Sequence, residues 1–317
     1  MKKTKEIWLL GLPLAIGIGS FIISERIFSF ATHRRAKYPV PSKSMLRYAR
    51  SYYQYVDWYQ QIPKQTWAIY EKHHREKMVA TYINNPKSKY NTVIIAHGFG
   101  GNRETMANYA KMFYGLGFNI LMPDDRGHGE SAGKYISFGW LDQIDYLHWI
   151  RDVINHQGPK TNILLFGVSM GGAIVSMLSG DHLPKQVKAI IADCGYSSVR
   201  AELDYLLRHH YHLPKYPFDP MINTINRHRL GYYMTDASTT SQLAKNTRPV
   251  FFIHGARDKF VPTPMVYQNY RATLAPKRLW IVPFAGHAES FWINEANYRN
   301  HIRSFLDDYF FNKVRND

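Results

Sequence analysis

A short run in the middle of the chain restricts the possible folds more than any other. After Asn162 the run Ile163-Leu164-Leu165-Phe166-Gly167-Val168 is apolar throughout, and Ser169-Met170-Gly171-Gly172-Ala173-Ile174 follows at once. The first part reads as a strand buried on both faces, the second as the start of a helix made of small residues. At the junction stands Gly167-Val168-Ser169-Met170-Gly171, a Gly-x-Ser-x-Gly pentapeptide. A turn this sharp tolerates only small neighbours, and it lifts the Ser169 hydroxyl clear of the sheet's carboxyl edge, as a nucleophile elbow requires. The pentapeptide alone says little, and a serine cap on an ordinary turn would share it. The strand–turn–helix context makes Ser169 the candidate nucleophile.

The surrounding chain supplies the sheet that such an elbow needs. Residues 66–70 and 77–83 read as an opening antiparallel pair. Apolar runs follow at 92–98, 118–123, 187–194, 249–255 and 278–283, with helical patterns between them at 104–116, 140–156, 264–274 and 294–311. Such alternation predicts an α/β fold, with a mostly parallel sheet and helices on both faces. One interval breaks the rhythm. Between Cys194 and Pro249 no strand is evident, and 202–211 and 221–230 look helical. An insertion at about 199–248 is expected to cap the sheet. Its apolar Leu206, Leu207 and Met221 are expected to roof an acyl pocket.

A serine hydroxyl needs a base, and the base an orienting carboxylate. Asp258 follows the run Pro249–Gly255 and His287 follows Arg278–Pro283, both just beyond carboxyl ends of expected strands. Asp193 is the rival acid. Asp258 is preferred because the order serine, acid, histidine places the acid after the later strand. His254 lies within a strand pattern and His301 within the last helix, so both fit the base less well. Two backbone N–H groups should face the oxyanion, that of Met170 and that of Phe99 in the loop His97-Gly98-Phe99-Gly100-Gly101-Asn102. His97 is expected to hold this loop by a structural hydrogen bond, and Asp124, Asp125 and Arg126 to brace the loop after residues 118–123.

The motifs HGFGGN, PDDRGHGESAG (123–133), GVSMGG, HGARDKFVP and AGHAES occur in that order. Together they resemble the α/β-hydrolase superfamily over about residues 66–312. They look most like bacterial membrane-anchored members with a prolyl-oligopeptidase-like catalytic domain. The resemblance implies the α/β-hydrolase fold with a helical cap, a Ser169–Asp258–His287 triad and no cofactor. It also implies a serine hydrolase that cleaves carboxylic esters of small molecules through an acyl-enzyme. An amidase or peptidase would use the same residues, and a non-catalytic tethered module could keep the same scaffold. The large N-terminal propeller of true prolyl oligopeptidases is not among these 317 residues, which turns the expectation from peptides to esters. Related dehalogenases and epoxide hydrolases carry Asp at the elbow, and Ser169 argues against both.

The front of the chain is expected to be a separate unit. Residues 7–23 carry no charge, with Lys2, Lys3 and Lys5 before them and Glu25-Arg26 after. They are read as an uncleaved single-pass anchor within 1–24, in preference to a secretory signal cleaved near Ser29-Phe30-Ala31. The basic start resembles a signal-anchor, which would put the catalytic domain outside the cytoplasm, although Arg26, Arg34, Arg35 and Lys37 weaken the positive-inside bias. Residues 25–65 form a basic, aromatic juxtamembrane segment with a helix at 42–62 capped by Ser42. That helix either meets a lipid interface or packs on the domain, residues 66–317. Most of the net charge of +16 lies in residues 1–90 and so says little about substrate. Next to a membrane span it does not read as a nucleic-acid surface. A single cysteine, Cys194, excludes an internal disulfide and any multi-cysteine metal site. His73, His74, His209, His210 and His212 lack metal-ligand spacing and are read as exposed, so no metal is expected. Nothing in the sequence specifies an oligomeric state.

Overall fold

A computed structural model describes residues 2–34, 47–70 and 76–311, and for residues 2–15 and 49 the backbone alone. In chain order the elements are α1 (Lys2–Thr32), α2 (Ala49–Gln61), β1 (Gln65–Tyr70), β2 (Lys77–Ile83), β3 (Asn91–Ala96), α3 (Ala107–Gly115) and β4 (Asn119–Pro123). Then follow α4 (Asp142–Gln157), β5 (Asn162–Val168), α5 (Met170–Leu178), β6 (Val187–Asp193), α6 (Val199–His209), α7 (Phe218–Leu230) and α8 (Thr239–Leu243). The chain closes with β7 (Val250–Gly255), α9 (Pro264–Ala272), β8 (Lys277–Val282), α10 (Ser290–Ile293) and α11 (Glu295–Tyr309).

The strands form one eight-stranded sheet in the order β1-β2-β4-β3-β5-β6-β7-β8. β1 and β2 pair antiparallel, β2 meets β4 antiparallel, and every later pairing is parallel. The central strands are buried on both faces because helices cover both, which is why β3, β5, β6 and β7 read as continuous apolar runs. Two apolar clusters divide the side chains between these faces. One contains Ile94, Trp149, Leu165, Ile174 and Phe252, the other Val93, Phe113, Phe166, Phe251 and Phe305. Each such buried side chain stabilises the fold by roughly 1.5–3 kcal/mol. This is the α/β-hydrolase architecture expected from the sequence.

α2 packs on the second cluster. Tyr55 and Tyr59 are buried, Tyr48 stacks on Trp292, and the Tyr59 hydroxyl lies 2.9 Å from Thr81 Oγ1. Of the two readings for this segment, the structure gives packing on the domain. Ser42, the expected cap, lies outside the described residues, as do His73 and His74.

α1 is one continuous helix through residue 24. Ser24, Phe28 and Thr32, spaced four apart, are buried on the domain. Ser24 Oγ donates to Met221 Sδ on α7 at 3.8 Å, and Arg229 pairs with Glu25 at 2.9 Å. Beyond the helix, Arg34 donates to Ser131 O and Gly129 O at 2.6 and 2.8 Å. Residues 24–34 are therefore built into the cap and the loop after β4. Earlier in α1, Ile16, Ile18, Phe21, Ile22 and Ile23 are exposed, at positions spread around the helix. Among the described residues no helix is long and apolar enough to cross a membrane, and the side chains of residues 7–15, part of the expected anchor, lie outside them.

Candidate active site

The elbow is built as the pentapeptide demands. Ser169, between β5 and α5, has φ 58° and ψ −118°, a region that costs an L residue about 1–3 kcal/mol. The turn is held by Ser169 N–H donating to Asp193 O at 2.8 Å and Ala173 N–H donating to Ser169 O at 3.0 Å. The glycines are required by approach. A Cβ on Gly171 would lie 2.1 Å from Ala96 O, and one on Gly167 2.1 Å from Gly171 O. Any side chain at either position would push α5 off the sheet.

Three sequence-selected residues meet here. Ser169 Oγ is 2.8 Å from His287 Nε2, and His287 Nδ1 is 2.8 Å from Asp258 Oδ2. Asp258 stands in the loop after β7 and His287 in the loop after β8, where parallel strands deliver their carboxyl ends. Asp258 Oδ1 accepts from Phe260 N–H and Val261 N–H at 2.9 Å each, which fixes the carboxylate plane. Burial alone would raise the Asp258 carboxyl. Its hydrogen bonds to His254 and His287 outweigh that and hold it down at about 2. Asp258 is thus a carboxylate throughout the physiological range, and His287 Nδ1 carries the proton it accepts.

The rival acid is placed elsewhere. Asp193 accepts from Tyr298 Oη at 3.0 Å and Ser290 Oγ at 3.3 Å, and burial raises its carboxyl to about 6. The oxyanion donors flank the serine. Met170 opens α5, so its N–H has no partner within the helix. Phe99 follows Gly98, whose added Cβ would lie 3.4 Å from Ser169 Cβ, so this loop passes directly over the nucleophile. The loop is braced by His97, with Nδ1 donating to Gly98 O at 2.8 Å and Nε2 accepting from Asp125 N–H at 3.0 Å. Asp124 accepts from Arg103 N–H and Glu130 N–H, each at 2.8 Å. Arg126 forks onto Asp145 at 2.7 and 2.8 Å.

Among the described residues, the ligand atoms of Cys194, Asp258 and His287 fall within 4.8 Å of one another. Both His287 nitrogens are already engaged, by Ser169 and Asp258, so the imidazole has no lone pair free for a metal.

The cavity beside Ser169 holds about 190 Å³. Leu206 on α6 lines it. Leu207 does not, being fully buried in the core, and Met221 faces α1. Helical spacing explains the correction, since neighbours on one helix point about 100° apart. The sequence reading missed several contributors. Phe30 and Ala31 at the end of α1 form part of the wall, and so does Glu202 of α6. Nothing local in residues 25–34 signals this. His254 was also missed as a support. Its Nε2 lies 2.9 Å from Val261 O and 3.4 Å from Asp258 Oδ2, and its i, i+4 spacing to Asp258 was the available signal.

The family model for the alpha/beta hydrolase fold matches residues 91–235. The chain is 32% identical over 226 residues to the uncharacterized protein YqkD of Bacillus subtilis, covering 70% of this chain and 73% of that one. It belongs to the alpha/beta hydrolase fold family. A shorter match, 31% identical over 115 residues, is to Lipase 1 of Psychrobacter immobilis, covering 36% of this chain and 34% of the lipase. Among solved structures, the esterase Pf2001 of Pyrococcus furiosus superposes with TM-score 0.63 at 20% identity, over 78% of this chain and 93% of the esterase. The acylaminoacyl peptidase of Pyrococcus horikoshii superposes with TM-score 0.58 at 16% identity, over 79% of this chain but 42% of the peptidase. At these identities the structural likeness establishes the shared fold.

Proposed function

We propose that this hydrolase-fold protein cleaves carboxylic esters with short acyl chains through an acyl-enzyme intermediate. The observation that carries the reading is the continuous hydrogen-bond chain from Ser169 Oγ through His287 to Asp258, with both links at 2.8 Å. Ser169 Oγ attacks the ester carbonyl as His287 Nε2 takes its proton. The Asp258 carboxylate keeps His287 in the tautomer whose Nε2 can accept and stabilises the imidazolium that forms. The Phe99 and Met170 N–H groups receive the oxyanion. His287 then protonates the leaving alcohol, and water repeats the sequence on the acyl-enzyme. No step calls on a cofactor. A volume of 190 Å³ corresponds to about six water-sized groups at ~30 Å³ each, which sets the acyl chain short.

The test is labelling by a fluorophosphonate probe together with hydrolysis of short p-nitrophenyl esters. Wild type should show both and Ser169→Ala neither. Undiminished labelling of the variant would remove Ser169 from the mechanism. Running matched anilides beside the esters decides between ester and amide cleavage.

The same reading places the enzyme at a membrane through α1, with the catalytic domain outside the cytoplasm. The charge-free run 7–23 after three lysines and the exposed apolar residues of α1 between 16 and 23 support it. Release of the full chain by alkaline carbonate without detergent would refute the attachment. Resistance of the domain to protease in intact cells would refute the side.

A further inference from the structure

One side chain in the cavity does not suit a plain alkyl pocket. Glu202, in the first turn of α6, is 8% exposed and lines the cavity beside Ser169. Neither of its carboxyl oxygens has a hydrogen-bond partner among the described residues. Its neighbours on the helix do have partners. Ser198 caps the helix by accepting from Ala201 N–H at 3.0 Å, and Arg200 pairs with Asp219 at 2.8 Å. Glu202 therefore serves neither the helix end nor an ion pair. A buried polar group left unpaired costs about 1–3 kcal/mol, so a carboxyl here weakens the free enzyme unless something that enters the cavity meets it.

The chemistry at His287 fixes which part of the substrate that is. His287 gives its proton to the leaving group, so the leaving group lies on the side of its Nε2. A second, open cavity of about 390 Å³ is lined by His287, Phe260, Phe284, Arg257 and Lys259, and not by Ser169. The cavity containing Glu202 is lined by Ser169 and by both oxyanion residues, Phe99 and Met170, and not by His287. The cavity that holds Ser169 is therefore taken for the acyl group and the one that holds His287 for the leaving group.

We propose that Glu202 determines acyl specificity by binding a hydrogen-bond donor, a hydroxyl or an ammonium, carried on the acyl chain. The proposal rests on the ester-hydrolase reading above. Burial, and after it the nearby Asp258 charge, push the Glu202 carboxyl up to about 8. In the free enzyme near neutrality it holds a proton and offers both an O–H donor and a carbonyl acceptor, which a hydroxyl satisfies together. An ammonium instead meets the carboxylate after the carboxyl proton leaves to solvent, and the aromatic rings of Phe30, Phe138 and Tyr211 in the same wall favour a cation. Either group relieves the unpaired carboxyl, and a methyl does not.

The experiment compares kcat/KM on p-nitrophenyl esters of matched chain length whose acyl groups end in methyl, hydroxymethyl or aminomethyl. It uses the full chain as wild type, Glu202→Gln and Glu202→Leu, with thermal melts to show that the variants fold. Wild type should prefer a donor-ended ester over its methyl-ended match by about ten-fold or more at one chain length. Glu202→Leu should reverse that preference. Glu202→Gln should keep selectivity for hydroxyl and lose it for ammonium, which separates the two sources of the donor. Preference for methyl at every length in wild type, or a donor preference that survives Glu202→Leu, overturns the proposal. Probe labelling of wild type is read separately. With labelling present, a flat panel sinks the role of Glu202 alone. Without labelling, the hydrolase reading fails and this proposal fails with it.

Discussion

Asp258→Asn tests the triad through hydrogen-bond orientation. Asp258 Oδ1 accepts two backbone N–H groups at 2.9 Å, while Oδ2 faces His287 Nδ1 at 2.8 Å and His254 Nε2 at 3.4 Å. An asparagine must keep its carbonyl oxygen toward the backbone pair, because the reverse placement sets its NH₂ against two donors at about 1–3 kcal/mol each. The NH₂ then points at His287 Nδ1 and forces that nitrogen to accept. The imidazole proton moves to Nε2, facing Ser169, where a base is needed. A base held in the wrong tautomer loses about 10⁴-fold in kcat, or roughly 5.5 kcal/mol of barrier. The assay is steady-state hydrolysis of p-nitrophenyl butyrate, with melts to confirm folding. A folded variant that loses less than about ten-fold refutes the argument. A linked effect has a definite sign. The Asp258 carboxyl sits at about 2 in the fold and ~3.9 in the unfolded chain. Its contribution of about 2–3 kcal/mol is present above pH ~4 and is lost as the pH falls through 2, so the gap between wild type and Asp258→Asn should narrow from pH 5 to pH 2.

Three further outcomes are expected. Glu202 holds its proton up to about pH 8 in the fold but only to ~4.3 when unfolded, so its contribution is full below ~4.3 and is lost as the pH rises through 8. Glu202→Gln should therefore gain on wild type, by on the order of 5 kcal/mol, between pH 4 and pH 9 in melts, and a constant offset would refute this. Gly171→Ala places a Cβ 2.1 Å from Ala96 O and should cost about 3 kcal/mol or more in urea unfolding, or fail to fold; a cost within error contradicts the close approach. Phe30→Ala should extend the accepted acyl length, whereas Leu207→Ala should lower stability by about 2–5 kcal/mol and leave the chain-length profile alone. The opposite pattern would restore Leu207 to the pocket.

The parts of the fold legible in the sequence are those whose physics is local. β5 and α5 announce themselves because a strand buried on both faces is apolar along nearly its whole length and a sharp turn packed against backbone admits only glycine two residues to either side of Ser169. Asp258 and His287 were locatable because each follows a strand end, and strand ends converge on one edge in a parallel sheet. The rest depends on contacts between distant segments. That Leu206 lines the cavity while Leu207 fills the core is set by the rotation of α6 about its axis, which the apolar pattern of 202–211 leaves open. That Tyr55 and Tyr59 are buried depends on where α2 docks, since an aromatic helix face suits a lipid interface and a protein surface equally well. Phe30 and Glu202 read as an ordinary apolar and an ordinary charged residue until α1 and α6 are set side by side over Ser169.

The origins of the catalytic groups and of the pocket walls lead to a different expectation for each. Ser169, Asp258, His287 and the oxyanion residues stand on loops at the ends of β3, β5, β7 and β8, strands of one sheet whose pairing sets their mutual positions. The walls come partly from α1 and α6, helices outside the sheet that are linked to loops and to α7 by contacts such as Tyr205 Oη donating to Lys259 O at 2.9 Å and the Arg229–Glu25 pair. Substitutions in the walls can therefore change which acyl group is accepted without moving the nucleophile. A shift of α1 would likewise change that pocket, because it would move Phe30 and Ala31 with it.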